Sequence, residues 1–436
     1  MFTSNTKEDL AQMLAEIGVK SFDELLPVPQ VLLKGNLNLP SALNEQELTA
    51  EVKKIASKNK PLVNFAGGGM QEHFVPAAVN ALSTRGEFLT AYTPYQAEAS
   101  QGTLQAIYEY QSCICALFDM DISNASHYDG ATALAEACLA ATHLKNNKTI
   151  LYTKALQPNY TEVLKTYFKN ASVNLKEVPL NADGTTDLNQ LETLLKNGAA
   201  AFILQTPNYF GCLESAEEIS SLVHANNALL IANVNPTSLG ILQTPGSYGA
   251  DFAVAEGQGL GNALNYGGPT LGIFTCKKQF VRSISGRLCG MAKDKDGKRA
   301  FVLTLQAREQ HIRRERAASN ICSNQALCAL NATIYLTLLG SEGLKEVALK
   351  SLENAHYLQT ELCKNDGFAL KYKAPFYNEF VVTTKAPAAK LIKAAAKKGF
   401  LAGIAIGKNE LLLCATEVNT KAQIDTLVNI LKEVKL

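Results

Sequence analysis

The sequence predicts an α/β protein in which a large domain with a mostly parallel sheet is followed by a smaller α+β domain. Short apolar runs alternate with helical stretches between about residues 61 and 320, a pattern typical of strands that are buried on both faces. A long helical region at about 324–362 then leads into short strands and helices. We therefore expect an N-terminal helical arm at 1–60, a large domain at 61–320 and a small C-terminal domain at 321–436.

The first 60 residues are predicted to form helices with short breaks. Thr6 is a candidate N-cap, Gly18 ends the first helix, and residues 21–24 fit a capping box. Pro27 and Pro29 then break the chain. By analogy with other arms that precede a main sheet, we expect this segment to pack on another subunit. The apolar positions of its two main helices are Leu10, Met13, Leu14 and Ile17, then Leu48, Val52 and Ile55.

Each strand is predicted from a short apolar run and each helix from an apolar period near 3.6 residues. The large domain is expected to have strands at 149–153, 173–178, 200–205, 228–234, 251–255 and 271–276, with helices that include 131–144 and 215–225. The small domain is expected to have strands at 369–373, 379–384, 401–406 and 410–415, a helix at 387–398 and a last helix around 424–431.

The composition indicates a large buried core without a marked charge. Hydrophobic residues make up 47% of the chain and the net charge is +1, so neither a nucleic acid nor a membrane surface is expected as the main partner. No apolar run approaches the roughly 20 residues that span a bilayer. The first eight residues are polar and contain no apolar signal core. We therefore expect a cytoplasmic protein.

Cysteine and histidine usage gives no indication of a metal site. The ten cysteines form no CxxC pair, and the six histidines show no metal-ligand spacing. Several cysteines, such as Cys138 and Cys276, lie in apolar runs, which is typical of buried, reduced thiols in a reducing compartment. No metal is therefore expected.

One long stretch lacks every lysine and arginine: none occurs between Lys196 and Lys277. In α/β enzymes that use pyridoxal phosphate (PLP), a lysine after the central strands holds the cofactor as a Schiff base. Residues 249–260 arrive at that place in the order of segments, and Gln258 is the nearest candidate for the position. A glutamine amide cannot form an imine, so this chain has the segment order of such an enzyme without the group that begins its chemistry.

Three segments suit a binding site or a subunit contact, and each also has a plainer explanation. Residues 126–132 lead into a helix and offer free N–H groups to an anion, although Asp129 adds negative charge and an ordinary capped helix is the alternative. Residues 265–270 contain paired glycines that allow close approach of a ligand or chain, or simply form a tight turn. Residues 90–102 are rich in aromatic and hydrogen-bonding side chains, which suit a polar pocket, a subunit contact or a surface loop.

The segment 308–316 contains four arginines and one histidine in nine residues. On a helix, Arg308, His311 and Glu315 would share a face, and arginine side chains hold carboxylates and phosphates through paired hydrogen bonds. A solvated charged helix is the plainer explanation. The small, neutral stretch at 317–325 follows directly, which favours an interface or the wall of an active site.

Taken together, these segments resemble the glycine cleavage system P-protein family, and within it subunit 1 of the split form. The resemblance extends over essentially the whole chain, and its longest motif is hard to match by chance. The segments that carry it are AYTPYQ at 91–96, SQG at 100–102, QTPNYFG at 205–211, YGGP at 266–269, TLQAREQHIRRE at 304–315 and SNIC at 319–322.

The resemblance implies a PLP-dependent transferase fold of type I, like that of aspartate aminotransferase. It also implies an oxidoreductase that acts on a CH–NH2 group with a disulfide acceptor: P-protein binds glycine through PLP, releases CO2 and passes the aminomethyl group to the lipoyl arm of H-protein. In the split form the PLP-bearing lysine belongs to subunit 2, within a heterotetramer of two subunits 1 and two subunits 2. The absent lysine is then expected, and the isolated chain should be inactive.

A second group that PLP normally requires is also absent. The pyridine nitrogen usually pairs with an aspartate, but the corresponding strand at 230–236 reads LIANVNP and contains no carboxylate. We interpret this as a degenerate site in a subunit that contributes to the active site of its neighbour. On this interpretation Tyr95, Gly267, Gly268 and Thr270 approach the PLP held by subunit 2.

The resemblance leaves two roles open for Arg308, His311 and Arg313, which could support the wall of that site or the channel by which H-protein approaches. Two other readings of the whole chain also remain. One is a self-sufficient PLP enzyme whose lysine is Lys277 or Lys278. The other is a pseudoenzyme that binds a different ligand or acts as a scaffold.

Overall fold

The structure is a computed structural model that describes residues 5–26, 37–317 and 319–434. Its contacts divide the chain into two compact units, 1–60 and 61–436. The predicted boundaries of the three domains stay predictions. The chain break expected at Pro27 and Pro29 lies outside the described residues.

The elements of the described residues are numbered in chain order. The helices are α1 (Lys7–Ile17), α2 (Glu45–Ala56), α3 (Ala77–Ser83), α4 (Gly86–Leu89), α5 (Gln101–Phe118), α6 (Gly130–Lys145), α7 (Pro158–Phe168), α8 (Leu188–Lys196), α9 (Ala216–Ala225), α10 (Gln310–Arg313), α11 (Ala326–Cys363), α12 (Ala388–Lys397) and α13 (Lys421–Lys432). The strands are β1 (Val63–Asn64), β2 (Ile122–Ser123), β3 (Thr149–Thr153), β4 (Asn174–Val178), β5 (Ala201–Gln205), β6 (Leu229–Val234), β7 (Phe252–Glu256), β8 (Gly272–Cys276), β9 (Leu288–Lys293), β10 (Arg299–Thr304), β11 (Phe368–Leu370), β12 (Glu379–Thr384), β13 (Phe400–Leu401), β14 (Ile404–Gly407) and β15 (Glu410–Cys414).

The first unit consists of short helices whose apolar side chains remain exposed. The predicted capping of α1 is confirmed: the Thr6 side chain accepts from the Asp9 N–H at 3.2 Å, and Gly18 ends the helix with φ +83°. The capping box predicted at 21–24 is wrong, because Ser21 makes no capping bond and a 3-10 turn follows it. Within the described part of this unit, neither α1 nor α2 buries a residue. Isolated helices of this length are marginal in water.

In the described part of the second unit, the large sheet has seven strands in the order β2-β8-β7-β6-β5-β3-β4. Parallel pairing joins β4, β3, β5, β6 and β7, whereas β8 pairs antiparallel with both β7 and β2. The prediction of a mostly parallel sheet is therefore confirmed. Because the helical connections of parallel strands cover both faces of the sheet, every residue of β5 and β6 is buried.

Side chains of the central strands alternate between two cores, one on each face of the sheet. In β5, Phe202 and Leu204 belong to the core that also contains α8 and α9. Ala201 and Ile203 belong to the core formed with α6 and α7. Successive strand residues point to opposite faces, and here both faces are apolar. This explains why the strands appear in the sequence as continuous apolar runs.

Helix α11 contributes to the cores of the seven-stranded and the four-stranded sheets of this unit. Its first part places Ala332 and Tyr335 in the core of the large sheet, and its last part places Leu358 and Leu362 in the core of the small sheet. Gly340, with φ +61°, interrupts the helical backbone between them. By length and composition this helix could cross a membrane. Core helices of globular proteins have the same properties, and its buried side chains pack into these two cores.

The small sheet contains β11, β12, β15 and β14 in that order, all antiparallel. Helices α12 and α13 and the end of α11 contribute to its core. The single strand predicted at 401–406 is wrong, because the chain forms β13 and β14 with a turn between them. Gly403 in that turn has φ +97°, and a Cβ there would lie 2.3 Å from the Leu412 carbonyl oxygen. Only glycine permits this close approach.

Candidate functional site

A small polar cavity lies at the carboxyl ends of three neighbouring strands, where ligands of open α/β sheets bind. Gln205 ends β5, Asn233 lies one residue before the end of β6, and Glu256 ends β7. The cavity has a volume of about 50 Å³, whereas pockets for small ligands and cofactors have roughly 300–1,000 Å³. Its walls therefore leave room for a few water molecules. We call it the closed cavity; its lining includes Gln71, Gln157, Gln205, Asn233, Glu256 and Gln258.

Gln258, which the sequence placed at the position of the cofactor lysine, is buried in the wall of the closed cavity. Its side-chain nitrogen donates to the Asn262 carbonyl oxygen at 2.7 Å, and its side-chain oxygen accepts from the Gln71 N–H at 3.2 Å. Its own N–H donates to Glu256 Oε1 at 2.9 Å. Gln258 is thus a fixed part of the protein's own hydrogen-bond network.

Other side-chain amides extend this network across the closed cavity. Gln71 Oε1 accepts from Asn235 Nδ2 at 3.0 Å. Gln205 Oε1 accepts from the Gln157 N–H at 2.9 Å and from Asn233 Nδ2 at 3.3 Å. Asn233 and Asn235 lie in the segment where the sequence lacks the expected carboxylate. Neutral amides that bond to one another therefore fill the place where that segment would present an acid.

The helix N-terminus beside the closed cavity already holds carboxylates of the chain itself. Helix α6 begins at Gly130, and Asp129 caps it by accepting from the Thr132 N–H at 2.7 Å. The Gly130 N–H donates to Glu256 Oε2 at 3.1 Å. The anion-binding geometry expected at 126–132 is thus present, but the anions that occupy it are internal.

Glu256 joins three parts of the fold through backbone groups. Oε2 accepts from Gly130 at the start of α6, while Oε1 accepts from the N–H groups of Gln258 and Leu271 at 2.9 and 3.0 Å. Burial raises the pKa of Glu256 to about 7, although these N–H donors act in the opposite direction. The carboxylate replaces solvent for three backbone groups that are drawn from separate segments.

The residues present do not fit PLP. Position 258 offers an amide in place of an amine, and Asn233 offers no acid to the pyridine nitrogen. The N–H groups that would face a phosphate donate instead to Asp129 and Glu256. A Cβ at Gly130 would lie 2.7 Å from the backbone nitrogen of Glu256, which shows how closely the start of α6 approaches the end of β7. The chain's own side chains close this site.

Lys277, which was considered together with the adjacent Lys278 as a cofactor lysine, lies at the opposite end of β7 from Glu256. Its ammonium group donates to Asp251 Oδ1 at 2.8 Å and to the Gly249 carbonyl oxygen at 2.9 Å. The five residues of β7 separate this end from the closed cavity by roughly 16 Å. Burial raises the pKa of Asp251, but its bonds to His224 and Lys277 outweigh burial and hold it below the usual value. This arrangement is a structural ion pair.

Two further groups line the closed cavity from more distant parts of the chain. Glu379, at the start of β12, accepts from the Gly68 N–H at 2.6 Å, and burial raises its pKa to about 7. His73 is hydrogen-bonded through Nδ1 to Glu417 Oε2 at 2.8 Å. The cavity is therefore lined by the large sheet on one side and by residues near the small sheet on another.

A second group of the predicted site residues surrounds a half-exposed tyrosine. Tyr95 and His311 pack edge to face, with ring centroids 5.8 Å apart. The Tyr95 hydroxyl accepts from Arg287 Nη2 at 3.2 Å. Glu309 lies on the other side of this arginine, with 3.9 Å between Glu309 Oε2 and Arg287 Nε. We call Tyr95, Arg287, Glu309 and His311 the Tyr95 cluster.

The segment 308–316 is not one helix, so the expected shared face of Arg308, His311 and Glu315 is wrong. Helix α10 has only four residues and is flanked by a 3-10 turn on each side. The physical reason is that Arg308 bonds to backbone carbonyl groups of another segment, which fixes its turn independently of α10. His311 alone of these three residues joins the Tyr95 cluster.

Arg308 and Arg313 have different surroundings. The Arg308 guanidinium donates to the carbonyl oxygens of Ile284 and Gly286, the latter at 2.9 Å. Burial lowers the pKa of Arg308 from its usual value, and the nearby Glu309 acts in the opposite direction. Arg313 is exposed. Arg308 thus fixes the backbone just before Arg287, whereas the Arg313 side chain is open to solvent.

The predicted residues Gly267, Gly268 and Thr270 lie in an exposed loop. Both glycines have positive φ, at +113° and +115°, and a Cβ at Gly267 would meet nothing within 4 Å. Thr270 Oγ1 donates to the Tyr128 carbonyl oxygen at 3.2 Å. This loop therefore borders open space, and a hydrogen bond fixes it at Thr270 to the segment that precedes α6.

Three residues of these sites were not predicted from the sequence: Glu256, Glu379 and Arg287. A weak signal existed for two of them: Glu256 directly follows the apolar run at 252–255, and Arg287 directly precedes the start of β9. Charged residues at the ends of apolar strands usually reach solvent. Their burial depends on contacts that are distant in sequence, so the sequence pattern alone does not distinguish them.

Replacement of Glu379 by glutamine should change the pH dependence of stability. The folded pKa of about 7 lies above the ordinary 4.5, so between these values the folded chain holds a proton that the unfolded chain releases. The contribution of this protonated carboxyl to the free energy of unfolding is therefore fully present below pH 4.5 and is lost as pH rises through about 7. Thermal unfolding at several pH values should show that the stability of Glu379→Gln declines less steeply with rising pH. Part of the decline should remain, because the pKa of Glu256 is also raised. An unchanged slope would contradict burial as the cause; the exposed Glu162→Gln serves as control.

Replacement of Gly130 by alanine should destabilise the chain by about 1–3 kcal/mol. The added Cβ would lie 2.7 Å from a backbone nitrogen and 2.1 Å from the Tyr160 hydroxyl oxygen, so α6 would have to move away from β7. Urea unfolding of the purified chain measures the effect. Gly102→Ala in α5 is the matched control, because its Cβ would meet nothing within 4 Å. Equal stability of the two variants would show that α6 and β7 are not in close contact.

Comparison with known proteins gives full-length matches. The profile of the family described as GDC-P, Glycine cleavage system P-protein, matches residues 2–431. A Moorella thermoacetica protein described as "Probable glycine dehydrogenase (decarboxylating) subunit 1" is 51% identical over 435 residues, which cover 98% of each chain.

Solved structures agree with these matches. The glycine decarboxylase (P-protein) of the glycine cleavage system, in inhibitor-bound form, has a TM-score of 0.93 at 41% identity and covers 100% of both chains. An alanine–glyoxylate aminotransferase from Nostoc sp. has a TM-score of 0.60 at 15% identity over 86% of this chain and 95% of that chain, which shows the fold alone. The predicted PLP-dependent transferase fold of type I is thereby confirmed. The chain belongs to the glycine cleavage system P-protein family.

Proposed function

We propose that this chain is the subunit of a split P-protein that lacks the cofactor lysine, and that it completes an active site carried by a second subunit. The observation that carries the proposal is the closed cavity, where Gln258, Asn233 and Glu256 replace the groups that PLP needs. A chain with this fold and this defect can still supply residues across a subunit interface. Membership of the P-protein family supports glycine as the proposed substrate.

In the proposed reaction, glycine loses its carboxylate as CO2, and the remaining aminomethyl group bonds to one sulfur of the lipoyl disulfide on H-protein. The other sulfur becomes a thiol, so the complex is an oxidoreductase that acts on a CH–NH2 group with a disulfide acceptor. PLP, held by a lysine of glycine dehydrogenase subunit 2, supplies the electron sink for the carbanion. This chain alone is inactive.

The contribution of this chain is proposed to come from two exposed features. Tyr95 is half-exposed, and the loop with Gly267 and Gly268 borders open space, so both are available to a partner. Thr270 anchors that loop. These residues are proposed to approach the PLP of subunit 2.

The arginines and the histidine of the 308–316 segment are proposed to divide two roles between them. Arg308 fixes the backbone beside Arg287, and His311 supports the ring of Tyr95, so both support the wall of the shared site. Arg313 is exposed and is assigned to the approach channel of lipoylated H-protein.

We also propose a cytoplasmic heterotetramer of two copies of each subunit. All ten cysteines are free thiols, as is usual in a reducing compartment. The helices of the first unit, with no buried residue in their described part, suit an arm that packs on another subunit.

Borohydride reduction followed by peptide mapping tests the proposed division. The purified chain is incubated with PLP alone and together with subunit 2, and the reduced lysine adduct is then located. We expect the label on subunit 2 only, because the closed cavity offers neither an amine nor a free phosphate site. Stoichiometric labelling of a lysine of this chain would overturn the proposal. The alternative hypothesis is that this chain is a scaffold or pseudoenzyme. It predicts full activity of subunit 2 without this chain.

Tyr95→Phe and Thr270→Val should each lower glycine decarboxylation by the reconstituted complex, by on the order of 10-fold, without preventing assembly. The first change removes a hydroxyl that faces the proposed interface, and the second removes the bond that anchors the glycine loop. Size-exclusion chromatography measures assembly, and release of CO2 from labelled glycine measures activity. Tyr372→Phe, near the small sheet, serves as control. Unchanged activity of both variants would remove these residues from the shared site.

A further inference from the structure

Arg287 is a buried cation to which neither the sequence motifs nor the proposed function assigns a role of its own. It lies directly before β9 and is 5% exposed. Its Nη2 donates to the Tyr95 hydroxyl at 3.2 Å and also to the Cys322 carbonyl oxygen. Its Nη1 lies 3.5 Å from Asn324 Oδ1. One guanidinium group therefore connects the 90–102 segment with Cys322 and Asn324 of the small, neutral stretch.

The charge of Arg287 is balanced incompletely. Glu309 Oε2 lies 3.9 Å from Arg287 Nε, which is within ion-pair distance but beyond a hydrogen bond. Among the described residues, the buried Arg287 Nε and Glu309 Oε1 have no hydrogen-bond partner. A buried ion pair with unmade bonds is a poor source of stability. A role in holding a neighbouring group explains this arginine better than a role in folding alone.

The geometry at Tyr95 shows what Arg287 holds. The guanidinium carbon lies 5.5 Å from the Tyr95 ring centroid, and His311 packs against the same ring. Because Arg287 donates to the phenol oxygen, the hydroxyl hydrogen of Tyr95 remains available for another acceptor. Tyr95 is 52% exposed, so that acceptor can belong to another molecule.

We propose that Arg287 is a positioning residue that fixes the Tyr95 hydroxyl as a hydrogen-bond donor toward an anionic oxygen in the active site completed by the partner subunit. This inference rests on the proposed function, because it assumes that Tyr95 faces that site. It adds the direction of the hydrogen bond and the chemical class of the acceptor, a carboxylate or phosphate oxygen. Arg287 also links Tyr95 to Glu309 of the long arginine-rich motif, which gives that motif a physical role.

A double-mutant cycle between Arg287 and Tyr95 tests the proposal. The variants are Arg287→Met, Arg287→Lys, Tyr95→Phe and the two double variants, each assembled with saturating subunit 2 and H-protein. We expect Arg287→Met and Tyr95→Phe each to lower kcat by on the order of 10-fold, and the double variant to be no slower than the slower single variant. The visible spectrum of the complex on addition of glycine is the second readout and should show the same non-additivity.

Arg308→Met combined with Tyr95→Phe is the matched control. Arg308 is a partly buried arginine whose guanidinium bonds are to carbonyl groups and not to the Tyr95 hydroxyl, so its effect on kcat should multiply with that of Tyr95→Phe. If Arg287→Met does not fold, the coupling with Tyr95→Phe is measured with Arg287→Lys instead. It retains the charge but not the forked donors, and it should lower kcat less than Arg287→Met would and remain non-additive with Tyr95→Phe.

Multiplicative effects of the Arg287 and Tyr95 changes would overturn the proposal, since Arg287 would then act independently of the hydroxyl. If Tyr95→Phe leaves kcat unchanged while an Arg287 variant lowers it, the proposal is again wrong, and the proposed function loses only its assignment of Tyr95. Failure of the proposed function as a whole gives a different result: the lysine adduct would appear on this chain.

Discussion

One partly buried carboxylate holds together the place where a ligand of this fold would bind. Glu256 accepts hydrogen bonds from the start of α6, from the loop after β7 and from the residue before β8. Helix α6 is buried along most of its length, so its first N–H groups have little access to water. Backbone donors in that position must find an internal partner. Glu256 and Asp129 provide it, and a network of side-chain amides lies beside them.

The sequence pattern correctly predicted elements that depend on local periodicity. It gave wrong predictions where contacts with distant parts of the chain determine the backbone conformation. The strand at 149–153 matches β3 because its burial on both faces appears directly as an apolar run. The strand expected at 401–406 divides because the carbonyl of Leu412, on another strand, approaches Gly403. The helix expected at 308–316 is broken because Arg308 bonds to carbonyl groups about twenty residues earlier in the chain.

The candidate site could be predicted only by what it lacks. The missing lysine and the missing strand carboxylate are visible in the letters at 230–258, and they indicated a degenerate cofactor site. The contacts made by the residues that replace these two groups cannot be predicted from the sequence. The bond between Arg287 and Tyr95 joins residues that are 192 positions apart, and that between Gly130 and Glu256 joins residues 126 apart. No local period or motif encodes such pairs, although the resemblance to P-proteins did indicate that the segments around Tyr95 belong together.

The filled helix N-terminus also has a consequence for the history of this chain. A lysine at position 258 would bring an ammonium group into the cavity and would remove the side-chain oxygen that accepts from the Gln71 N–H. Removal of Glu256 alone would leave three backbone N–H groups without an acceptor, a loss of roughly 1–3 kcal/mol for each. Each single substitution toward a cofactor site is therefore unfavourable unless the other substitutions accompany it. Because these changes depend on one another, no single substitution would convert the cavity into a cofactor site.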